Sequence, residues 1–252
     1  MILLYEGCRN ENVIALKARL NELGYDCGEG DVFDRKTAWA VRWFRRQNDL
    51  AQNSDTIDDS LWARIHSEKA APGVTTPFQY YSMKDPLWAD YPYDAANTPE
   101  IELMSNSACG PTSMAMAVST ALRRAVLPPV LADWSNAHGF RDPDGINGTD
   151  DSFFPACAEL YGLTARLMDV VDEHSFARIA EERAAGNAVI SNVVPGSPFT
   201  KCGHYNLISR IENGRVHICD AVPKNMELPD YTISEWLDGQ WARRCIIVGK
   251  KV

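Results

Sequence analysis

Three residue types that together can cut an amide bond stand in one chain order: a cysteine, then a histidine, then an aspartate. The cysteine is Cys109 in "SACGPTSMAMAVST", residues 107–120, where Gly110 and Pro111 precede a run of helix formers. Pro suits the first turn of a helix, and Gly lets the backbone turn tightly beside the sulfur. A thiol at such an end meets the positive pole of the helix and free N–H groups able to receive a developing oxyanion. Cysteine alone is more often a buried, inert residue. A partner base changes that reading, and "KCGHYNLISRIENGRVHICDAVP", residues 201–223, supplies His204 with Asp220 to orient it. In such a set the thiol attacks, the imidazole moves the proton, and the carboxylate fixes the tautomer and stabilises the imidazolium.

For this chemistry the two residues must share a face. Apolar and polar residues alternate on both sides of Asn213 and Gly214, the pattern of a β-hairpin. A three-residue loop with Gly214 left-handed sets Ile211 opposite Arg215 and Asn206 opposite Asp220, making His204 and Asp220 diagonal neighbours. A plain Asn213–Gly214 turn would instead oppose Leu207 to Asp220 and point the pair apart. On the helix side, Met114, Val118 and Ala121 recur at core-facing spacing. "GTDD", residues 148–151, offers Thr149 or Asp150 as an N-cap for the next helix, with Asp151 structural.

Other readings of the same residues are weaker. Cys202, His204, His217 and Cys219 form C-x-H and H-x-C pairs, but the expected register turns His217 and Cys219 away from His204, and a tetrahedral metal site needs convergent ligands. No metal or other cofactor is expected. His138 in "NAHGF" is an alternative base without a local acid, and His66 and His174 have no evident partner. Cys157 reads as helix core, and Cys8 and Cys27 as free thiols. Trp88, Tyr91 and Tyr93 suit a substrate groove or a core equally well.

The chain has 252 residues, 45% hydrophobic, with a formal net charge of −9. That charge argues against a general nucleic-acid or anionic-membrane binder. Seven cysteines without a CxxC pair suggest reduced thiols rather than a disulfide framework. The opening "MILLYEGCRNEN" lacks the features of a secretory signal, and no stretch has membrane-span length. The expectation is a protein cytoplasmic when made, without membrane insertion, that acts elsewhere only after release. The oligomeric state is not set by these features.

Val13, Leu16, Leu20 and Leu23 follow helical spacing; Thr37, Ala40, Val41 and Phe44 mark a second helix; Leu61, Trp62 and Ile65 mark a third, with Asp58 as its N-cap. Residues 1–66 thus read as a small three-helix domain, 67–77 as a linker and 78–252 as a second domain. The first segment is near neutral, with nine basic against eleven acidic side chains. Its Gly7, "VIALKARLNELGY", "DVFDRKTAWAVRWF" and "SLWARI" resemble the bacterial peptidoglycan-binding domain. Asp34 and Arg45 stand where that family carries a glycine and a glutamine. The resemblance implies peptidoglycan as partner.

The second segment resembles the papain-like cysteine peptidases of the bacteriocin-processing, double-glycine type, through "YYSMKDPLWADYPY", "SACGPTSMAM", "GINGTDDSFFPACAELYGL", "FTKCGHYNLISRI" and "ICDAVP". The resemblance implies an α+β fold with helices packed on an antiparallel sheet, Cys109 as nucleophile, His204 as base and Asp220 as its orienter. It also marks a departure, because Met83 stands where the family often has glutamine. A thioether cannot donate to an oxyanion, so the Cys109 N–H and Asn106 are the expected donors. Together the two resemblances imply a peptidoglycan-binding cell-wall hydrolase of the endolysin kind, from phage or prophage. The alternatives are a protease that trims a leader peptide and a wall-binding protein with a degenerate catalytic domain.

Overall fold

A computed structural model describes all residues except 53, 95–101, 143–147 and 252. Gly145, Ile146 and Asn147 of the "GINGTDD" motif therefore lie outside the described residues. The first unit pairs strand β1 (Leu3–Leu4) with β2 (Ile57–Asp58) and packs α1 (Glu11–Glu22), α2 (Arg35–Gln47) and α3 (Asp59–Ile65) around Val13, Leu16, Leu20, Phe33, Val41, Phe44 and Ile65. Each helix starts on a side-chain cap, from Asn10, Asp34 and Asp58 in turn. Such a cap is worth about 1 kcal/mol. The two departures from the family pattern have local causes. Asp34 caps α2 and also holds the ammonium of buried Lys17 at 3.1 Å, while Arg45 donates to the carbonyl of Thr56 at 2.9 Å and fastens the loop before β2.

The segment 67–77 carries no helix or strand, yet it is pinned to the first unit. Tyr25 and Trp43 donate to the carbonyls of Ala71 and Gly73, at 2.8 and 3.0 Å. Gly73 itself donates to Leu23 at 2.8 Å, and its Cα runs so close to the Gly24 carbonyl that a Cβ would clash. Beyond it the core continues without a break. Trp43 meets Tyr81 and Trp88 at ring distances of 5.5 and 5.8 Å, Trp39 meets Tyr91 at 5.2 Å, and Arg46 pairs with Asp85. Asp26, 4% exposed at its side chain, receives Lys36 at 2.7 Å, Tyr161 at 3.0 Å and Arg124 at 3.7 Å. The helical unit is seated on the rest of the chain rather than tethered to it.

The remainder is α+β. A short helix α4 (Met104–Ser107) runs into α5 (Cys109–Leu122), followed by α6 (Pro128–Ala137) and α7 (Phe153–Leu160). Then come β3 (Leu163–Asp169), α8 (Glu173–Ala184), β4 (Ala188–Val193), β5 (His204–Glu212), β6 (Arg215–Cys219), a 3-10 turn (Pro223–Glu227), β7 (Tyr231–Thr232), α9 (Ile233–Asp238) and β8 (Ala242–Lys250). The six strands form one antiparallel sheet in the order β3-β8-β4-β5-β6-β7. Alternation sends Ile190, Leu207 and Ile246 to the core shared with α5, and Val189, Ile208 and Ile247 to a second core with Phe176 of α8 and Trp236 of α9. Helix α5 is buried without interruption from Gly110 to Ser119, the signature of a central helix. Among the described residues no helix is long and apolar enough to cross a membrane.

The hairpin differs in detail from the expected loop. Asn213 and Gly214 form a two-residue turn, both left-handed at φ 51° and 71°, with Glu212 opposite Arg215. That geometry matches the natural twist of paired strands. The register then slips between Ile208 and Arg210, where Ser209 is the extra residue of a bulge and its hydroxyl bonds the His217 carbonyl at 3.0 Å. Leu207 therefore faces Cys219, and Asn206 comes next in line opposite Asp220. The turn is shorter than expected, and the bulge restores the pairing.

Candidate active site

Cys109 is the first residue of α5 and half-buried. Its position is set by its neighbours. Gly110 lies so close to Thr149 that an added Cβ would stand 2.6 Å from the threonine Oγ1, so only glycine fits. One turn on, the buried Ser113 hydroxyl donates to the Tyr205 carbonyl at 3.0 Å, hanging the helix on the strand residue that follows His204.

His204 opens β5 and is 7% exposed; Asp220, just past β6, is fully buried. The imidazole Nε2 lies 2.8 and 2.9 Å from the two carboxylate oxygens. Asp220 also accepts from the Val222 N–H at 2.7 Å, Asn225 Nδ2 at 3.0 Å and Asn206 Nδ2 at 3.3 Å. Asn206 is in turn held by the Ser191 hydroxyl. Burial pushes against a charge on His204, but the hydrogen bond to Asp220 and the hydrogen bond and charge of Cys109 outweigh it, raising the imidazole to about 10. His204 and Asp220, expected to act as a pair, are thus joined through Nε2, and Cys109 lies near enough to influence the imidazole.

The other candidates are dispersed. Asn106 is the exposed residue of the short helix α4, three residues before Cys109. Met83 is buried, and its N–H donates to the Ala221 carbonyl at 2.9 Å, placing it beside the orienting acid. His217 pairs with Asp230 at 2.7 Å, and no group of three or more potential metal ligands converges among the described residues. His66 and His138 stack on Trp62 and Trp134 of their own helices, at 4.3 and 4.5 Å; His174 lies exposed in α8. Trp88 and Tyr93 are core, while Tyr91 is half-buried with its hydroxyl on Asp133 at 2.8 Å. All seven cysteines are free. Burial pushes Cys27, Cys219 and Cys245 up to about 12 and Cys157 higher still, so these remain protonated.

"GTDD" does not supply the expected N-cap: that place is taken by Ser152, with no side-chain cap bond, and Asp150 only accepts from the Ser152 N–H at 2.8 Å, whereas Thr149 is buried between Gly110 and the Tyr93 hydroxyl, 2.8 Å from its Oγ1. Asp151 turns inward to Tyr205 and Asn192. Of the clamp on Asp220, the expected register already set Asn206 opposite the acid; Asn225, in a 3-10 turn, carries no such signal.

Residues 9–54 match the family model described as a peptidoglycan binding domain. No curated protein matches the chain. Among solved structures it is similar to the peptidase domain of Streptococcus ComA, a bifunctional ABC transporter involved in quorum sensing, at 17% identity over 61% of this chain and 97% of that one, with a TM-score of 0.44. A C39-like peptidase from Bacillus anthracis matches at 15% identity over 65% of this chain and 97% of its own, TM-score 0.41. A fused Zn-dependent amidase/peptidase/peptidoglycan-binding protein from Clostridium acetobutylicum matches at 19% identity over 34% of this chain and 37% of its own, TM-score 0.27. At these scores the likenesses assign no family to the chain as a whole.

Proposed function

We propose that this protein is a cysteine peptidase or amidase that binds peptidoglycan through residues 1–66 and cleaves its peptide or amide bonds with residues 78–252. The observation that carries the reading is His204, held by Asp220 on Nε2, with the Cys109 side chain near enough to help raise the imidazole. The match of residues 9–54 supports the wall as the target.

The Cys109 sulfur attacks the amide carbonyl carbon as a thiolate, and the carbonyl electrons move to oxygen. The Cys109 N–H at the start of α5, with Asn106 three residues before it, receives that oxyanion. Imidazolium Nδ1–H passes its proton to the leaving nitrogen as the C–N bond breaks, leaving a thioester on Cys109. Water then adds to the thioester while His204 takes its proton, and the sulfur leaves as thiolate with a free carboxylic acid released. Asp220 holds the ring in one orientation throughout and balances its positive charge. An endolysin-like life, made in the cytoplasm and released onto the wall, fits this chemistry.

Purified sacculi are expected to lose turbidity with the wild-type protein and not with Cys109→Ala, while casein stays intact with both. Lysis that survives in Cys109→Ala, or casein digestion with sacculi untouched, overturns the reading.

A further inference from the structure

Directly opposed residues on neighbouring strands line up in one row across the sheet: Asp169 with Arg244, Arg244 with Asn192, and Asn192 with Tyr205. The next row inward is apolar, with Ile246, Ile190 and Leu207. Asp151, from the loop before α7, sits on the polar row and gathers it. Its carboxylate accepts from the Tyr205 hydroxyl at 2.6 Å and Asn192 Nδ2 at 2.9 Å, and pairs with Arg244 at 3.2 Å. An aspartate near the start of a helix can serve as a solvated cap, but here Ser152 is the N-cap residue of α7 without any side-chain cap bond, and Asp151 is only 22% exposed at its side chain. Bringing the carboxylate in from water costs free energy that the three partners offset.

What it holds is the join between the two halves of the site. Tyr205 follows His204 in the chain, and its carbonyl receives Ser113 of the helix that begins at Cys109. Its hydroxyl, whose one proton goes to Asp151, also lies 3.1 Å from the Thr149 carbonyl, and Thr149 is the residue against which Gly110 packs. Tyr205 is thus tied at its backbone to the cysteine helix and at its hydroxyl to the loop that supports the residue beside the cysteine. Burial raises the Tyr205 phenol strongly, with the Asp151 hydrogen bond and the charges of Asp151 and Cys109 adding to it, so the hydroxyl stays a donor.

We infer that Asp151 is a positioning residue, which through Tyr205 sets the separation between Cys109 and His204 without touching the reacting atoms. This rests on the thiol reading given above. Displacing a catalytic pair by about 1 Å can cost about 100-fold in rate.

The test uses the full chain with Asp151→Asn and, should that variant fold poorly, Tyr205→Phe, which removes one oxygen and keeps the ring. Kinetics are measured on soluble muropeptides prepared from purified sacculi, and alkylation by iodoacetamide is mapped by peptide mass spectrometry at pH 7. In each variant kcat falls about 10- to 100-fold with KM within about twofold. The double variant is no slower than the worse single one, because both remove the same tie. Alkylation slows at Cys109 and not at exposed Cys202. Unchanged kcat and alkylation in both variants, or a rise in KM at constant kcat, overturns the role of Asp151. A wild-type protein inert on muropeptides defeats the wall reading instead, and the Cys109 alkylation rates then decide the positioning role alone.

Discussion

Replacing Asp220 with asparagine keeps the shape of the orienting residue and removes its charge. Around the native carboxylate every contact is a donor: His204 Nε2, the Val222 N–H, Asn225 Nδ2 and Asn206 Nδ2. An amide offers one acceptor oxygen, so its NH2 group must face donors on either placement. A hydrogen bond to a charged group contributes about 1.5–3 kcal/mol, which converts to a loss of about 10- to 150-fold in kcat/KM. The pH dependence sharpens the expectation. His204 is raised from 6.5 to about 10 in the folded protein, so its interactions stabilise the native state fully below about pH 6.5 and are lost as pH rises through about 10. Without the carboxylate, the alkaline limb of the activity profile moves down from near 10, and the native state loses stability mainly below that limb. The assay is kcat/KM on soluble muropeptides from pH 5 to 11, with urea melts at pH 6 and pH 10.5. Activity within twofold of wild type and an unmoved alkaline limb would refute the account of Asp220.

Gly110→Ala places a Cβ 2.6 Å from Thr149 Oγ1; overpacking of this kind costs about 1–3 kcal/mol, so the melting temperature drops by about 2–12 °C in calorimetry and lysis falls with it. A fragment of residues 1–66 exposes Trp39 and Trp43, which pack on Tyr81, Trp88 and Tyr91, and it loses the bonds from Tyr25 and Trp43 to residues 71 and 73. Thermal melts by circular dichroism should show a broad transition for this fragment, against a sharp one for the full chain.

Much of this arrangement can be read from local signals. Helical spacing locates α1 to α3 because their buried positions are apolar, and Gly110–Pro111 marks the start of α5 because both residues have backbone roles there. The Asn213–Gly214 turn is equally plain. The bulge at Ser209 is not, since any small residue can serve and only the paired strand shows where the extra residue goes. The linker reading of 67–77 fails to foresee its packing for a similar reason: its composition is loop-like, while its attachment is through backbone carbonyls, which no side-chain pattern reveals. Within the site, Cys109, His204 and Asp220 are visible as chemical types in a telling order. Thr149, Asp151 and Asn225 matter through contacts between residues 5 to 56 positions apart, which spacing along one element does not encode.

The central claim is that the Cys109 thiol opens a bond of peptidoglycan. Mass spectrometry of the soluble products from purified sacculi, treated with wild-type protein or Cys109→Ala, addresses it directly. Wild-type treatment should release muropeptides with new amine ends at one kind of bond, and the variant should release none while still sedimenting with the wall. Identical products from both proteins, or no new amine ends from the wild type, would contradict it.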